Sequence, residues 1–454
     1  MAGTYGDASR ETPWYKAADR SSWRALLASN LGWMFDGYET YILVLAGPAV
    51  IATLLSPEQT PIYFGILLAV TLAGWTVGGI GGGLVTDRIG RKRTLMLAIF
   101  LYAIFTGLTA LSPNILMFAI FRFLAGIGIG AEWGAGAVLV SEKFPDRARG
   151  RGAAILQSGF GVGFLLATIA WLFIGPLGEQ SWRYVFLLGV LPALLLLYIR
   201  RSVDDPDPWI EADQQRRVAI EKASAGQELT HEEEMSTRFA WRTIWVTPVL
   251  RRRLLLTLLM SFATILGWWA VSTWIPQYAA AIVEPLGLDP GQWSTYAALV
   301  YNVAAILGYV LMGFIADAVG RKLTIWAFYL GSLIMVPAVF LITHSPGTLL
   351  VVIAINGFFT LGQFTWMAMY LPELFPTSVR GSAASLVFNL TRIGAIVGIL
   401  ASGWLVSTLG GIAGAATILG MIYILGLIVT PFSGPETKGE PLPATPAELE
   451  TARV

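Results

Sequence analysis

The stretch "GLVTDRIGRK" at residues 83–92 returns as "GFIADAVGRK" at residues 313–322, which is 230 positions later. A second motif, "EKFPDRARG" at residues 142–150, returns as "ELFPTSVRG" at residues 373–381, 231 positions later. Two different motifs that repeat at nearly the same offset indicate an internal duplication. In duplicated membrane proteins the two copies face each other and enclose a site at their interface.

The composition places both copies in a lipid bilayer. Of the 454 residues, 55% are hydrophobic and 13% are charged, whereas soluble domains carry roughly 25% charged residues. Apolar runs of about twenty residues are long enough to cross a membrane as helices. They predict an all-α integral membrane protein with twelve spans, six in each copy. The predicted spans cover residues 25–55, 61–86, 94–111, 114–141, 152–175, 182–199, 253–282, 293–316, 323–342, 348–371, 381–405 and 412–432.

The spans and the polar stretches between them predict five segments. These are an N-terminal tail at 1–24, a six-helix bundle at 25–199, a linker at 200–252, a second six-helix bundle at 253–432 and a C-terminal tail at 433–454. Within the linker, Thr230 and Glu233 have the spacing of a capping box, which predicts a short helix there.

The distribution of positive charge predicts the orientation of the spans. Of the 30 Lys and Arg residues, 27 lie in the two tails or in loops on one side of the predicted bundle. Basic residues accumulate on the cytoplasmic side of membrane proteins, so we expect both termini to be cytoplasmic. The polar N-terminal tail does not have the features of a signal peptide. The expected location is the plasma (inner) membrane.

Several classes of function have no support in the sequence. A net charge of +1 gives no reason to expect a nucleic-acid partner. The chain has no Cys, and its two histidines, His231 and His344, fall in predicted loops. We therefore expect no metal and no cofactor, and no imidazole within the spans. No nucleophile–base pair or nucleotide-binding loop suggests an enzyme.

In the repeated loops, which are predicted to be cytoplasmic, acids alternate with bases. Basic residues alone would be enough to set the orientation of the spans, so the acids need another explanation. We expect these residues to form ion pairs that break and re-form as the two copies move, which would make them a gate. The alternative is that they only anchor helix ends. The gating candidates are Asp87, Arg88, Arg91, Glu142 and Arg149 in the first copy and Asp317, Arg321, Glu373 and Arg380 in the second.

The motif "GLVTDRIGRK" and its copy resemble the loop 2–3 signature of the major facilitator superfamily, and the resemblance extends over about residues 25–440. It implies two six-helix bundles, a secondary transporter that works by alternating access, and a monomer. "RFLAGIGIG" (122–130) and "PETKG" (435–439) are similar to the sugar-porter-like branch.

Three other motifs resemble the organic-acid:proton symporters of the same superfamily, which include aromatic-acid, sialate or lactate, and nicotinate transporters. These motifs are "FDGYE" (35–39), "GIGAEWGAGA" (128–137) and "NLTRIG" (389–394). This resemblance implies that the cargo is a small organic anion and that the coupling ion is a proton.

Asp36 and Glu39 lie one helical turn apart inside the first predicted span and so share a face. A buried charge costs several kcal/mol or more, so such residues are paired or protonated and mark ion pathways. Counted from the outer ends of their spans, Arg122 lies roughly 12 Å deep and Glu39 roughly 14 Å deep. In sugar porters a first-span acid pairs with a fourth-span Arg, and the resemblance implies the pair Glu39–Arg122.

A mechanism of proton coupling follows from this pair. An acid takes up a proton when Arg122 leaves it and releases the proton when the pair re-forms. The predicted coupling residues are Asp36, Glu39, Arg122 and Glu132. Alternatively, Glu39 and Arg122 form a static pair that fixes helix packing, and Glu132 is the counter-ion of Arg392.

Arg392 lies about 18 Å into span eleven, and the second copy has no acid at a comparable depth. An unpaired guanidinium suits a substrate carboxylate gripped by two parallel hydrogen bonds. The alternative is an ion pair between Arg392 and Glu132, Asp36 or Glu39. The other predicted substrate-binding residues are Asn389, Gln157, Tyr38, Trp268 and Trp274, although any one of the aromatic residues can instead face lipid.

The sequence thus predicts a proton-coupled symporter for a small monocarboxylate such as an aromatic acid, a lactate-like acid or nicotinate. The alternative is a sugar or polyol porter, which "PETKG", Gln157 and the Glu39–Arg122 pattern favour. Arg392 argues against this alternative. So does "GWWAVSTWIPQY" (267–278), which lacks the glutamines that sugar porters carry in that span. A sensor that does not transport is disfavoured because the gating loops are intact in both copies.

Overall fold

The structure is a computed structural model that describes residues 13–56, 58, 60–272, 274–343 and 345–451. In this part of the chain all regular secondary structure is helical. The first half of the predicted N-terminal tail, residues 1–12, and His344 lie outside the described residues. The predicted all-α membrane fold is confirmed.

Six spans form the N-terminal half. Their helices are span 1 Arg20–Leu54, span 2 Thr60–Ile89, span 3 Arg91–Ala110, span 4 Ile115–Lys143, span 5 Arg149–Ile174, and span 6, which consists of Ser181–Leu188 and Ala193–Ser202. Short 3-10 turns, Asp146–Ala148 and Gly175–Leu177, precede and follow span 5. Asn114 caps span 4 by accepting a hydrogen bond from the backbone N–H of Met117 at 2.9 Å.

The C-terminal half also has six spans, most of them built from two helical pieces. They are span 7 Pro248–Ser272 and Ile275–Val283, span 8 Pro290–Val319, span 9 Arg321–Pro337 with a π-helical turn Ala338–Ile342, span 10 Pro346–Gly362 and Thr365–Leu374, span 11 Arg380–Leu390 and Arg392–Thr408, and span 12 Gly411–Gly420 and Tyr423–Val429. Short 3-10 turns, Glu284–Leu286 and Thr430–Phe432, follow spans 7 and 12. Eleven helical stretches of the described residues are long and apolar enough to cross a membrane, and the two pieces of span 7 occupy the place of the twelfth.

Short helices lie outside the spans. They are Trp14–Ala17 before span 1, Asp207–Ser224, His231–Thr237 and Ala240–Val246 between spans 6 and 7, and Pro446–Thr451 after span 12. The predicted capping box is confirmed, since Thr230 and Glu233 exchange side-chain and backbone hydrogen bonds. Lys222 donates a hydrogen bond to Glu233 and lowers the pKa of that carboxyl group below its ordinary value.

Glycines allow spans 2 and 4 to pack backbone against backbone. A Cβ on Gly78 would lie 1.9 Å from the carbonyl oxygen of Ile127, and one on Gly130 would lie 2.1 Å from that of Trp75. Stripes of small residues spaced four apart permit this close approach of membrane helices. Spans 8 and 10 repeat the arrangement, where a Cβ on Gly308 would lie 2.2 Å from the carbonyl oxygen of Phe358.

The two halves meet along spans 2 and 11 and along spans 5 and 8. In the first contact Gly79 lies directly under the side chain of Asn389. In the second a Cβ on Gly313 would lie 2.3 Å from the carbonyl oxygen of Gly150. The equivalent spans of each copy thus form the interface, as expected for a duplicated unit.

The turns between spans 2 and 3 and between spans 8 and 9 both depend on glycine. Gly90 has a φ of 104° and Gly320 a φ of 113°, values that residues with a Cβ rarely adopt. These two turns lie in the repeated motifs, at the end of the bundle where the basic loops gather. We call it the basic end.

We expect Gly78→Ala to destabilise the bundle by about 1–3 kcal/mol, because its methyl group has no room against span 4. Gly81→Ala, one turn away in the same helix, is the matched control, since a Cβ there has nothing within 4 Å. Thermal unfolding of purified protein in detergent measures the difference. Equal midpoints for the two variants would contradict close packing of spans 2 and 4.

Candidate functional site

Glu39 of span 1 and Arg122 of span 4 form an ion pair in the core of the N-terminal half. Arg122 Nη1 lies 2.9 Å from Glu39 Oε2, and Thr106 donates a hydrogen bond to the same oxygen at 3.0 Å. Both charged side chains are fully buried. Gly189 of span 6 makes room for the carboxylate, since a Cβ there would lie 1.8 Å from Glu39 Oε1. The structure therefore places the predicted partners in contact.

The Glu39–Arg122 ion pair contains a single hydrogen bond and is not bidentate. Within the described part of the chain, Glu39 Oε1 and Arg122 Nε and Nη2 are buried without hydrogen-bond partners. The ring of Phe186 lies over the guanidinium, with its centroid 5.3 Å away. A pair with unused donors and acceptors is easier to separate than a bidentate one.

Asp36 and Glu132 are two further buried carboxyl groups, and both have unpartnered oxygens among the described residues. Each is fully buried, and they lie close enough to influence each other electrostatically. Gly32 of span 1 admits Glu132, because a Cβ there would lie 1.9 Å from Glu132 Oε1. The phenol of Tyr102, a residue that the sequence analysis did not single out, lies beside Glu132.

Arg392 begins the second piece of span 11 and lies at the interface of the two halves. Its Nη1 donates to Asn389 Oδ1 at 2.5 Å and to the carbonyl of Phe388 at 3.2 Å. The ring centroids of Trp75 and Phe388 each lie 4.3 Å from the guanidinium carbon. No described carboxylate lies within ion-pair distance, although Asp36 is within electrostatic reach. The alternative ion pairs considered for Arg392 are therefore not formed in this conformation.

A small central cavity of about 20 Å³, room for about one water molecule, lies between the halves at this level. Its walls come from both halves and are mostly aromatic. The lining residues are Trp33, Thr40, Trp75, Gln157 and Phe160 of the N-terminal half and Ile265, Trp268, Trp269, Tyr309, Leu361, Phe364, Phe388 and Arg392 of the C-terminal half. The indole N–H groups of Trp33 and Trp75 and Nε2 of Gln157 are buried without partners in the described structure.

Of the predicted substrate-binding residues, Gln157, Trp268 and Arg392 line this cavity. Gln157 Oε1 accepts a hydrogen bond from the indole of Trp133 at 3.2 Å, and Asn389 contributes indirectly by holding Arg392.

Two predicted residues lie elsewhere in this conformation. Tyr38 is buried against span 6, where its hydroxyl donates to the carbonyl of Val185 at 2.8 Å. Trp274 is half-buried just before the second piece of span 7, outside the lining of the cavity. Tyr38 is two positions from Asp36, so it points to another side of the helix.

The predicted gating residues form a buried network at the basic end. In the first copy Arg91 makes two 2.9 Å hydrogen bonds to Glu142, which also pairs with Arg380 of the other half. In the second copy Arg321 bonds Glu373 at 3.0 and 3.2 Å, and Glu373 also pairs with Arg149 across the interface at 3.3 Å. Each glutamate thus ties together the two halves.

Two aspartates cross the interface in a matching way. Asp87, at the end of span 2, accepts hydrogen bonds from the backbone N–H groups of Gly381 and Ser382 at 2.9 and 2.8 Å. Asp317, at the end of span 8, accepts from those of Gly150 and Arg151 at 3.2 and 3.1 Å. A carboxylate at a helix N-terminus is stabilised by the free N–H groups and by the helix dipole. The basic end is therefore closed in this conformation.

The linker and the C-terminal tail also contact the ion-pair network at the basic end, which the sequence analysis did not foresee. Trp209 and Arg216 of the linker donate to the backbone carbonyl of Asp87 at 3.1 and 3.2 Å. Arg88 stacks on Phe239 of the linker, with its guanidinium carbon 4.0 Å from the ring centroid.

In the tail, the backbone carbonyls of Glu440 and Pro443 accept hydrogen bonds from Arg149 and Arg380. Glu436 binds the first backbone N–H groups of span 9, those of Arg321 and Lys322, at 2.7 and 3.1 Å. No group of three or more potential metal ligands occurs among the described residues.

A duplicated helical bundle whose halves are joined by ion pairs at one end, with buried charges around a central cavity, is typical of a membrane transporter. The family described as "Sugar (and other) transporter" matches residues 40–449, and the chain belongs to it. It is thereby a member of the major facilitator superfamily and not an enzyme, and the predicted resemblance is confirmed.

Relatives and solved structures agree with this assignment. The chain is 29% identical to the cis,cis-muconate transport protein of Acinetobacter baylyi, over 89% of this chain and 92% of the relative. It is 27% identical to the gentisate transporter of Corynebacterium glutamicum, over 83% and 80%. The fold matches the proton:xylose symporter XylE of E. coli with a TM-score of 0.76 at 21% identity, covering 95% of this chain and 99% of that one.

We expect Asp87→Ala to loosen the start of span 11, because two charge-assisted hydrogen bonds to backbone N–H groups are lost. Hydrogen–deuterium exchange should accelerate at least about tenfold at the amides of Gly381 and Ser382. The matched control is Asp204→Ala. Asp204 lies at the same end of the protein, and its side chain is 84% exposed. Equal exchange in both variants would show that Asp87 does not hold the gate closed.

Proposed function

We propose that the protein is a proton-coupled symporter that carries a small organic monocarboxylate by alternating access. The observation that carries the proposal is Arg392, a buried guanidinium on the wall of the central cavity with no carboxylate at ion-pair distance among the described residues. A buried cation without an anion is costly. A cargo carboxylate would supply the missing charge.

The environment of Arg392 suits a bidentate grip on the cargo. Asn389 and the carbonyl of Phe388 hold Nη1, and the rings of Trp75 and Phe388 stack on the guanidinium. These contacts fix the orientation of the planar group while its remaining N–H donors stay available for two carboxylate oxygens.

The rest of the cavity wall suits a flat, unsaturated cargo. Aromatic rings line both sides, and the unpartnered donors on Trp33, Trp75 and Gln157 can bond a hydroxyl, oxo or ring-nitrogen acceptor. The names of two relatives, a cis,cis-muconate transport protein and a gentisate transporter, support an organic-acid cargo. The present cavity is too small for such a molecule, so binding requires the halves to move apart.

Asp36, Glu39, Arg122 and Glu132 are the proposed proton-coupling residues. Because Asp36 is within electrostatic reach of Arg392, a charged Asp36 competes with the cargo for that guanidinium. A proton on Asp36 removes the competition, so proton and cargo anion bind cooperatively. Glu132 and the separable Glu39–Arg122 pair are further places where a proton can be held inside the N-terminal half.

The residues at the basic end form the proposed gate. When the network of Glu142 and Glu373 and the caps of Asp87 and Asp317 open, the two halves rock about the cavity. The moving units are the bundles 25–199 and 253–432, joined by the linker 200–252. The proposed location is the plasma (inner) membrane with the basic end and both termini in the cytoplasm, and the proposed functional unit is a monomer without a cofactor.

The second candidate is a proton-coupled sugar or polyol porter. One observation favours it: the C-terminal half contains a buried network of uncharged polar groups, in which Thr264 contacts Tyr329 at 2.8 Å and Gln363 at 3.4 Å. Hydroxyl and amide groups of this kind can bond sugar hydroxyls. An uncharged sugar bound at this network would not neutralise the charge of Arg392. An organic anion would, so it remains the leading proposal.

We expect Arg392→Ala to weaken carboxylate binding about 10- to 100-fold, the cost of losing a charged hydrogen-bonding partner. Arg392→Lys keeps the charge but not the planar fork and should recover only part of the loss. Isothermal titration with a panel of aromatic acids, lactate, nicotinate, sialate and hexoses measures the effect. If a hexose binds to wild type and the acids do not, the sugar-porter alternative is correct.

We expect Asp36→Asn to abolish cargo accumulation driven by a pH difference in proteoliposomes while counterflow exchange continues. Exchange needs no net proton movement, so it separates a coupling defect from a folding defect. Glu39→Gln should give the same pattern, and Glu179→Gln, an exposed acid outside the spans, is the control. Undiminished pH-driven accumulation in both Asp36→Asn and Glu39→Gln would exclude these acids as the coupling site.

A further inference from the structure

A second, separate cavity opens on the outer surface of the C-terminal half, where spans 7 and 12 meet at the basic end. It has a volume of about 560 Å³. Arg251 and Arg252 lie at one end of it, and Leu255, Leu256, Ile428 and Phe432 form its apolar wall. It shares no lining residue with the central cavity, so the proposed transport function does not use it.

The two arginines are not used by the fold. Both are exposed, neither has an ion pair among the described residues, and no acidic residue lines the cavity. Arg253, the next residue, behaves differently, since it donates to the carbonyl of Leu374 at 2.8 Å. One residue of the triplet therefore stabilises span 10, and the other two leave a concentrated positive charge beside an apolar groove.

The groove places basic groups next to apolar ones, in the order in which lipid headgroups and acyl chains would meet them. Arg251 precedes Leu255 by one helical turn, about 6 Å along the axis. Leu255, Ile428 and Phe432 are 45%, 60% and 62% exposed, which marks them as surface that faces hydrocarbon. Just before span 7, Trp245 is 47% exposed, as is typical of residues at a membrane interface.

We propose that this groove binds one anionic phospholipid of the leaflet at the basic end. The phosphate pairs with Arg251 and Arg252, and an acyl chain lies along Leu255, Ile428 and Phe432. Orientation in the membrane explains why bases are present at this end, but not why two of them border an apolar groove of this size. Basic pockets between spans on the cytoplasmic side are suited to acidic headgroups.

Native mass spectrometry of the full chain, purified in detergent with phosphatidylglycerol or phosphatidylcholine, tests the proposal. Wild type should retain phosphatidylglycerol in preference to phosphatidylcholine. The double variant Arg251→Ala, Arg252→Ala should weaken retention about 30-fold, or about fivefold for each base removed. Leu255→Trp keeps both charges but fills the groove and should also release the lipid.

The matched control is Arg200→Ala, Arg201→Ala, which removes two adjacent exposed bases at the end of span 6. It should retain phosphatidylglycerol as wild type does. The same loss in both double variants would mean that diffuse positive charge attracts the lipid, and the proposed site would be wrong. Retention by Leu255→Trp, or equal binding of phosphatidylcholine by wild type, would overturn it as well. Thermal unfolding without lipid shows whether each variant is folded.

Discussion

A charged side chain buried in a membrane protein must form an ion pair, form hydrogen bonds or lose its charge. This requirement explains the arrangement of the residues at the centre of the protein. Arg122 satisfies it with Glu39 inside one half. In the described part of the chain Arg392 contacts Asn389, a backbone carbonyl and two aromatic faces but no carboxylate, and the proposed function leaves its charge for a mobile anion. Asp36 lies within electrostatic reach of Arg392 and is the proposed site where a proton decides which anion Arg392 meets. The proposed coupling between proton and cargo is therefore a consequence of one unpaired guanidinium.

The duplication is preserved at the gate and lost at the centre. Asp87 and Asp317, at equivalent positions, cap helices of the opposite half in the same way. Between the gate and the far end, the N-terminal half carries the buried acids and the C-terminal half carries Arg392 and the hydroxyl network around Thr264. In the proposed mechanism the matching caps at the basic end would open and close together as the halves rock. At the centre, the two halves contribute different side chains to one cavity.

Much of the site could be foreseen because a charged residue in an apolar run is conspicuous. Glu39 and Arg122 were matched by their similar depths together with the sugar-porter resemblance, and Arg392 was singled out because its half has no acid at that level. The aromatic residues were harder, since the chain has 17 tryptophans and hydropathy does not say which of them face the interior. Trp33 and Trp75 were therefore missed, and Tyr38 and Trp274 were placed in a cavity that they do not line. The motif "PETKG" was recognised as a family feature, but its contact through Glu436 with the start of span 9 could not be read from the sequence. The contacts of the linker with Asp87 and Arg88 correspond to no motif that the sequence analysis used.

The sequence by itself determined the number of spans, the duplication and the identity of the residues too polar for their surroundings. Each of these is a property of the chain read locally, because transfer into lipid depends on the residues of one helix at a time. Only the tertiary structure decided which charged residues form ion pairs and which aromatic rings line the central cavity. It also showed that the basic end is closed. Those outcomes depend on how each helix is rotated about its axis, and glycine contacts such as Gly78 against Ile127 fix that rotation through packing between helices far apart in the chain.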